Sequence, residues 1–319
     1  MNTKYSFLLP AYKAKFLEEA LRSIQAQTCQ DFKVLVSDDC SPDNLQSIFD
    51  RVCGDDPRFS FRRNEQNIGG KSLVAHWNLL VDMCDTEYLI LASDDDVYAP
   101  TFLEEIDKLA IKYPEVNLIH ARAQLINEND EIMYRDEMYE EKVSQIEFMA
   151  FLGKQNHVAC IANQVYRTEH IKRIGGYVDL PLAWGSDAMT NNLMAQNGVA
   201  STSDILFNFR WSGLNISTLK DKAIGKKKVH AALLFYKELN QLLTNIKQEN
   251  TKLFKHNFQV AKNSQMQVVY TNVFNWSFTL GFKDFIRCMR YLAQERILCK
   301  KYDIYVLWKS WIVSRIKHS

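Results

Sequence analysis

Five apolar residues, Tyr88-Leu89-Ile90-Leu91-Ala92, run directly into Ser93-Asp94-Asp95-Asp96. A short apolar run bounded by turn-forming residues reads as a buried strand. Three adjacent carboxylates at its end repel one another, and partial burial raises the cost of keeping any of them ionised. A cation settles such a cluster, and hard carboxylate oxygens suit Mg²⁺ or Mn²⁺. Mg²⁺ takes one or two protein carboxylates and completes its shell with substrate phosphates. The competing reading is a turn that caps the next helix, since Pro100, Thr101 and Glu104 form a helix start with a capping box. Capping accounts for one carboxylate and leaves two.

Two earlier segments share this design. Tyr5 to Leu9 form an apolar strand ending in Pro10-Ala11-Tyr12, followed by Phe16, Leu17, Ala20, Leu21 and Ile24 at helical spacing. A second strand, Phe32 to Val36, ends in Ser37-Asp38-Asp39-Cys40-Ser41-Pro42-Asp43. Taken alone that stretch is a polar turn. Strands alternating with helices predict an α/β fold, and ligands of open α/β sheets bind beyond the carboxyl ends of the strands. The pattern continues with a helix over Phe102 to Tyr113, a strand over Asn117 to Ala121 and a hairpin around Asn127-Glu128-Asn129-Asp130. A strand over Val158 to Tyr166, a helix from Asp187 to Asn197-Gly198 and a last strand over Asp204 to Trp211 complete it.

With 47% hydrophobic residues, 319 residues can fill one large core or two, and 12% aromatic content argues against disorder. The seven cysteines, at 29, 40, 53, 84, 160, 288 and 299, contain no CxxC pair. They suit reduced thiols in a cytoplasmic protein better than a disulfide framework or a zinc site. No signal peptide or spanning segment is expected.

A net charge of +1 conceals a division. From Gly213 onward there are 19 Lys and Arg against 6 Asp and Glu, which leaves 20 basic and 32 acidic residues before it. This basic tail, 216–319, reads as helical over Val229 to Ile246 and Val268 to Leu298. Its last stretch, Ile304 to Lys317, interleaves Trp308 and Trp311 with cations, as interfacial helices on anionic membranes do. A solvated charged face competes evenly with that reading. Nucleic acid is not expected as a partner, because no RNA or DNA module is recognisable.

The ordered set Pro10-Ala11-Tyr12, Ala20 to Thr28, Val36 to Ser41, Asn67-Ile68-Gly69-Gly70, His76-Trp77-Asn78, Glu87 to Ile90, the acidic cluster, Ile174-Gly175-Gly176-Tyr177 and Ser186-Asp187 resembles family-2 glycosyltransferases of the GT-A fold. The resemblance covers roughly residues 4–215. It implies a Rossmann-like, mostly parallel sheet with helices on both faces. Residues 1–100 would be the nucleotide-sugar half, 101–215 the acceptor-side half, and 216–319 a helical addition.

Residue by residue, the resemblance implies Asp95, with Asp96, as ligands of Mn²⁺ or Mg²⁺, and Asp94 near the ribose or the metal's waters. The family's acid-x-acid pattern places its first acid on Ser93, which points to a weakly held ion completed by the diphosphate. Asp39 matches the acid that accepts the uracil N3–H, with Pro10, Ala11 and Tyr12 lining base and ribose. Asn67 belongs to the same donor set, and Lys71 is a diphosphate contact. Arg210, leading into Trp211 to Ser217, resembles a loop that closes on the diphosphate. Asp187 is the general base, although Ser186 replaces a second acid; His120 and His157 receive no catalytic role.

One base and no nucleophile imply inversion at the anomeric carbon. The expected activity is metal-dependent transfer from a UDP-sugar to a glycan or lipid-linked saccharide, building a bacterial surface glycan at the inner face of the plasma membrane. A nucleotidyltransferase and a non-catalytic nucleotide-sugar binder are the alternatives. The first would more often carry a Gly-rich loop where Pro10-Ala11-Tyr12 stands.

Overall fold

β1 (Tyr5–Ala11) pairs in parallel with β2 (Phe32–Asp38) on one side and β4 (Tyr88–Leu91) on the other. These relations, and all that follow, come from a computed structural model that describes residues 3–154, 158, 160–212, 222–246, 251–294, 305–309 and 311–313. β3 (Phe59–Arg63) extends the sheet beyond β2. On the far side of β4 come β9 (Gln164–Arg167), β6 (Leu118–Asn127), β10 (Val199–Trp211) and β5 (Val97–Tyr98). Strands β1 to β4, β6 and β10 run one way, and β9 and β5 run against their neighbours. β7 (Ile132–Arg135) forms the expected hairpin with β6, and β8 (Lys142–Val143) pairs with β10.

Successive residues of β1 point to opposite faces. Phe7 and Leu9 pack with α1 (Leu17–Gln25), α2 (Leu45–Cys53) and α4 (Phe102–Lys112). Leu8 packs with α3 (Leu73–Met83) and α6 (Thr168–Arg173) on the other face. A strand buried on both faces explains why β4 is an unbroken apolar run and β1 is apolar on both faces apart from the buried Ser6. Because the chain leaves β1 toward β2 and later returns to its other side as β4, the crevice beyond the ends of these strands is the switch point of the sheet.

α5 (Gln145–Lys154) and α7 (Ser186–Met194) connect the sheet to α8 (Lys222–Asn245), α9 (Lys252–Trp276) and α10 (Phe282–Gln294). Ile146, Met149, Leu180 and Met189 share one apolar cluster with Val229, Phe235, Leu239, Val269 and Phe285. The helices beyond residue 216 therefore share their core with the elements around Asp187.

Two expected elements are corrected. The strand expected over Val158 to Tyr166 is confined to Gln164–Arg167, because Asn163 donates its side-chain amide to the Ala121 carbonyl and interrupts the ladder. The helix expected over Val268 to Leu298 breaks after Trp276. There Ser277 and Thr279 hydroxyls bond back to the Phe274 and Trp276 carbonyls, just ahead of Gly281.

Candidate functional site

β1, β2 and β4 deliver Tyr12, Asp39 and the acidic loop to one edge of the sheet, and the loops are tied together there. Asp94 Oδ2 accepts the main-chain N–H groups of Tyr12 and Lys13, at 2.8 and 2.7 Å. The Lys13 ammonium lies 2.5 Å from Asp95 Oδ2 and 3.3 Å from Asp94 Oδ1. Burial works against its charge, but Asp94 and Asp95 outweigh that and hold its pKa above the ordinary lysine value. Burial raises the Asp94 carboxyl and pushes Asp96 up to about 8, with the neighbouring Asp95 charge adding to both.

Asp96 and Arg210 depart from their expected roles. Asp96 turns inward: Oδ1 accepts the Arg210 main-chain N–H at 2.8 Å, and Oδ2 accepts the Ser93 hydroxyl. Arg210 is fully buried. Its Nε donates to the Asp95 carbonyl at 2.9 Å, and its guanidinium pairs with Asp130 at 2.6 Å and Glu19 at 2.7 Å over the Phe16 ring. Held through Nε and Nη1, the guanidinium props the acidic loop from within the fold. Of the loop expected to close after it, Trp211 to Ser217, the part from Gly213 on lies outside the described residues, as does His157. His120 is buried against Phe148 and Phe151.

The acids as folded do not offer a divalent ion a ready set of ligands. Asp94 and Asp95 face Lys13, Asp96 faces its own loop and β10, and no cluster of three or more His, Cys, Asp or Glu suited to a metal occurs among the described residues.

At the end of β2 the Asp39 main-chain N–H donates to the Ala11 carbonyl at 2.9 Å. Asp39 Oδ1 accepts from the Asn64 amide and the Ile68 N–H, both at 2.9 Å, and Oδ2 from the Gly69 N–H at 2.7 Å. A Cβ on Gly69 would stand 2.8 Å from Asp39 Oδ2, so this close wrapping requires glycine. A carboxylate has about four lone-pair sites, so one position on Oδ2 remains for an incoming N–H. His76 Nδ1 stands 3.7 Å away, its pKa lowered by burial despite the Asp39 charge. Asp38 is spent on Arg63 and the Ser41 N–H. Asn67 closes the glycine turn through the Gly70 N–H, Lys71 is exposed on the same turn beside Gln66, and Tyr12 is 43% exposed over the crevice. Pro10 and Ala11 lie within β1, with Ala11 fully buried beneath the crevice.

Asp187 sits in the first turn of α7, behind Gly185 in the left-handed region at φ 85°. Burial raises its carboxyl pKa, and the main-chain N–H groups of Ala188 and Asp187 itself only partly offset this. Among the described residues it pairs with no cation. Burial raises the pKa of the Cys160 thiol, and the charges of Asp96 and, more weakly, Asp187 add to it. Asn78 holds the preceding turn: its Nδ2 donates to the Tyr177 carbonyl at 3.0 Å and its Oδ1 accepts the Tyr177 N–H at 2.7 Å. Gly176, at φ 85°, lets this clamp close, since a Cβ there would stand 2.4 Å from Asn78 Oδ1. Trp184 donates its indole N–H to Asn272 at 2.9 Å and stacks on the buried Lys228 ammonium at 4.2 Å. The C-terminal helices thus hold the approach to Asp187.

Lys13 and Asn64 carry no motif signal in the sequence, whereas Asn78 belongs to the His76-Trp77-Asn78 segment without a role assigned to it. Lys13 directly follows Pro10-Ala11-Tyr12, and Asn64 stands three residues before Asn67-Ile68-Gly69-Gly70.

The family model described as "Glycosyl transferase family 2" matches residues 6–175. An uncharacterized glycosyltransferase of Methanocaldococcus jannaschii is 26% identical over 161 residues, 50% of this chain and 53% of that protein. The GalNAc(5)-diNAcBac-PP-undecaprenol beta-1,3-glucosyltransferase of Campylobacter jejuni is 31% identical over 94 residues, 29% of this chain and 30% of that one. The chain therefore spans about half the length of the first of these relatives and under a third of the second. Among solved structures, S. aureus TarS 1–349 in complex with UDP-GlcNAc superposes with a TM-score of 0.69 at 17% identity, covering 99% of this chain and 91% of that one. The mannosyltransferase PcManGT of Pyrobaculum calidifontis, in complex with GDP-Man and Mn²⁺, gives 0.55 at 13% identity, covering 98% and 86%. At these identities the likeness establishes the GT-A fold.

Proposed function

Because this chain belongs to glycosyl transferase family 2, we propose that it moves a sugar from a UDP-sugar to a hydroxyl of a glycan or lipid-linked saccharide, with inversion. The observation that carries this reading is the placement of Asp187. An acid whose pKa burial raises, with no cationic partner among the described residues, sits in the first turn of α7 behind the Gly176-Tyr177 turn. Asp187 takes the proton of the acceptor hydroxyl as its oxygen bonds to the anomeric carbon. The bond from that carbon to the diphosphate oxygen breaks on the opposite face, and UDP departs with the electron pair. Asp39 offers its remaining Oδ2 position to the uracil N3–H, and Tyr12 covers the base.

UDP is favoured over other nucleotides by the Asp39 carboxylate, and the UDP-GlcNAc in the S. aureus structure supports that choice. The Mn²⁺ of the P. calidifontis structure supports a metal, but here Lys13 and Arg210 already engage the acids a metal would use. A lipid-linked acceptor draws support from the Campylobacter relative.

No helix among the described residues is long and apolar enough to cross a membrane. Attachment to the anionic inner face would use exposed cations such as Lys226, Lys227, Lys252, Lys255, Arg287 and Arg290. The two tryptophans expected at that interface pack inward instead, against Phe285 at 5.1 and 5.0 Å, and Trp311 donates to the Leu280 carbonyl.

A panel of UDP-, GDP- and CMP-sugars, read by thermal shift and nucleotide release, tests the assignment. UDP-sugars should raise the melting midpoint and release UDP. Response to GDP-sugars alone would overturn the Asp39 role. Binding of UDP-sugars without any turnover, with acceptors supplied, would favour a non-catalytic binder.

A further inference from the structure

The Lys13 ammonium contacts carboxylate oxygens of both Asp94 and Asp95. Lys13 follows Ala11, the last residue of β1, by two positions, and the acidic loop begins two positions after Leu91, the last residue of the neighbouring parallel β4. Lysine and acids therefore leave the sheet from the same edge. We propose that the Lys13 ammonium is the resident cation of the acidic loop and keeps divalent ions off Asp94 and Asp95 while the nucleotide site is empty.

The oxygens of the loop are shared out in a way that enforces this. Asp94 Oδ2 is occupied by the main-chain N–H groups of Tyr12 and Lys13. Asp94 Oδ1 and Asp95 Oδ2 are the pair that faces the ammonium, at 3.3 and 2.5 Å. Asp96 gives no substitute, with Arg210 N–H on one oxygen and the Ser93 hydroxyl on the other. An ion approaching the two open oxygens must displace a charge-assisted contact, the stronger class of hydrogen bond. It also meets a like charge whose backbone is anchored next to the acids, since Asp94 Oδ2 accepts the Lys13 main-chain N–H.

The ammonium keeps one free direction. The Lys13 side chain is 32% exposed, whereas those of Asp94 and Asp95 are 7% and 6%. If the donor reading holds, an arriving diphosphate meets Lys13 before it meets the acids and offers the ammonium new acceptors. The ion competition itself does not depend on that reading.

Mn²⁺ alone is the probe, with free ion followed by its electron paramagnetic resonance signal in protein without nucleotide. Lys13→Met should bind Mn²⁺ at least tenfold more tightly than wild type, and Lys13→Arg should stay with wild type. Adding Asp95→Asn to Lys13→Met should abolish the gain. The proposal is overturned if Lys13→Met binds no more tightly than wild type, if Lys13→Arg matches Lys13→Met, or if the gain survives Asp95→Asn. Should Lys13→Met fail to fold, Lys13→Gln answers the same question by the same criteria. A separate titration with UDP distinguishes the two readings: failure of UDP to bind contradicts the donor assignment and leaves the Mn²⁺ result to decide the role of Lys13.

Discussion

Arg210 donates its main-chain N–H to Asp96 at 2.8 Å while its own side chain donates to the carbonyl of Asp95 at 2.9 Å. One residue at the end of β10 therefore holds two consecutive residues of the acidic loop after β4. Removing the guanidinium strips a buried carbonyl of its donor and leaves Asp130 and Glu19 without their partner. Asp130 and Glu19 are exposed, so the cost comes mainly from the stranded carbonyl, and Arg210→Met should lower stability by about 1–3 kcal/mol. Denaturant titration checks this, and a loss under ~0.5 kcal/mol would mean that Arg210 is not the prop of the loop. Arg210→Lys should recover little, since an ammonium cannot span the same fork of acceptors.

Asp96 makes a pH prediction. Its folded pKa of about 8 stands above the ordinary carboxylate value, with burial the main cause and Asp95 the next. The folded protein thus keeps a proton that the unfolded chain releases near pH 4. The stability contributed by protonated Asp96 is present below that point and is lost as pH rises toward 8. Asp96→Asn preserves an acceptor for the Arg210 N–H and a polar group toward Ser93 without the charge. The variant should gain in melting midpoint relative to wild type between pH 5 and pH 8.5. A constant difference across that range would remove Asp96 as the titrating group.

Asp39 should behave as both a structural and a recognition residue. Asp39→Ala frees the Ile68 and Gly69 N–H groups and the Asn64 amide at once. It should lower the melting midpoint and weaken uridine as much as UDP, because its contact is to the base. Calorimetry with both ligands checks this. A loss confined to UDP would move Asp39 to the phosphate end of the site.

Much of this site is legible in the chain because its constraints are local. The apolar runs of β1 and β4 and their terminal acids need only neighbouring residues to be recognised, and the amphipathic spacing of α1 follows from Leu17, Ala20, Leu21 and Ile24. What stays hidden is partnership over long separations. Nothing in sequence distinguishes the open Asp95 from the inward Asp96, because the difference comes from Arg210, 114 residues away. Trp308 and Trp311 carry an interfacial composition, yet their rings meet Phe285, a tertiary contact that composition does not record. The break after Trp276 is set by two hydroxyls competing for helical carbonyls, against an apolar spacing that continues through it.

The exposed cations of α8 to α10 predict salt-dependent adsorption. Each basic residue near an anionic surface contributes about 1 kcal/mol, screened within a Debye length. The protein should sediment with phosphatidylserine vesicles at 20 mM salt, release by roughly 0.3 M, and ignore neutral vesicles, given a Debye length near ~10 Å at 0.1 M. Absence of binding to anionic vesicles at low salt would make these helices a solvated face. Ending the chain at residue 303 should reduce stability rather than only membrane affinity, because Leu307 belongs to the bundle core and Trp308 and Trp311 pack against it.

The most direct test of the account is the turnover of Asp187→Asn with a UDP-sugar and its acceptor, measured beside UDP affinity. A positioned base contributes about 10²–10⁴-fold, so transfer should fall by that factor while UDP binds within about threefold of wild type. The acid limb of the wild-type rate profile should lie above the ordinary carboxylate range, because burial raises the Asp187 pKa, and it should vanish in the variant. An Asp187→Asn enzyme that keeps more than about a tenth of wild-type turnover, well inside the range expected for losing a base, would contradict the central claim.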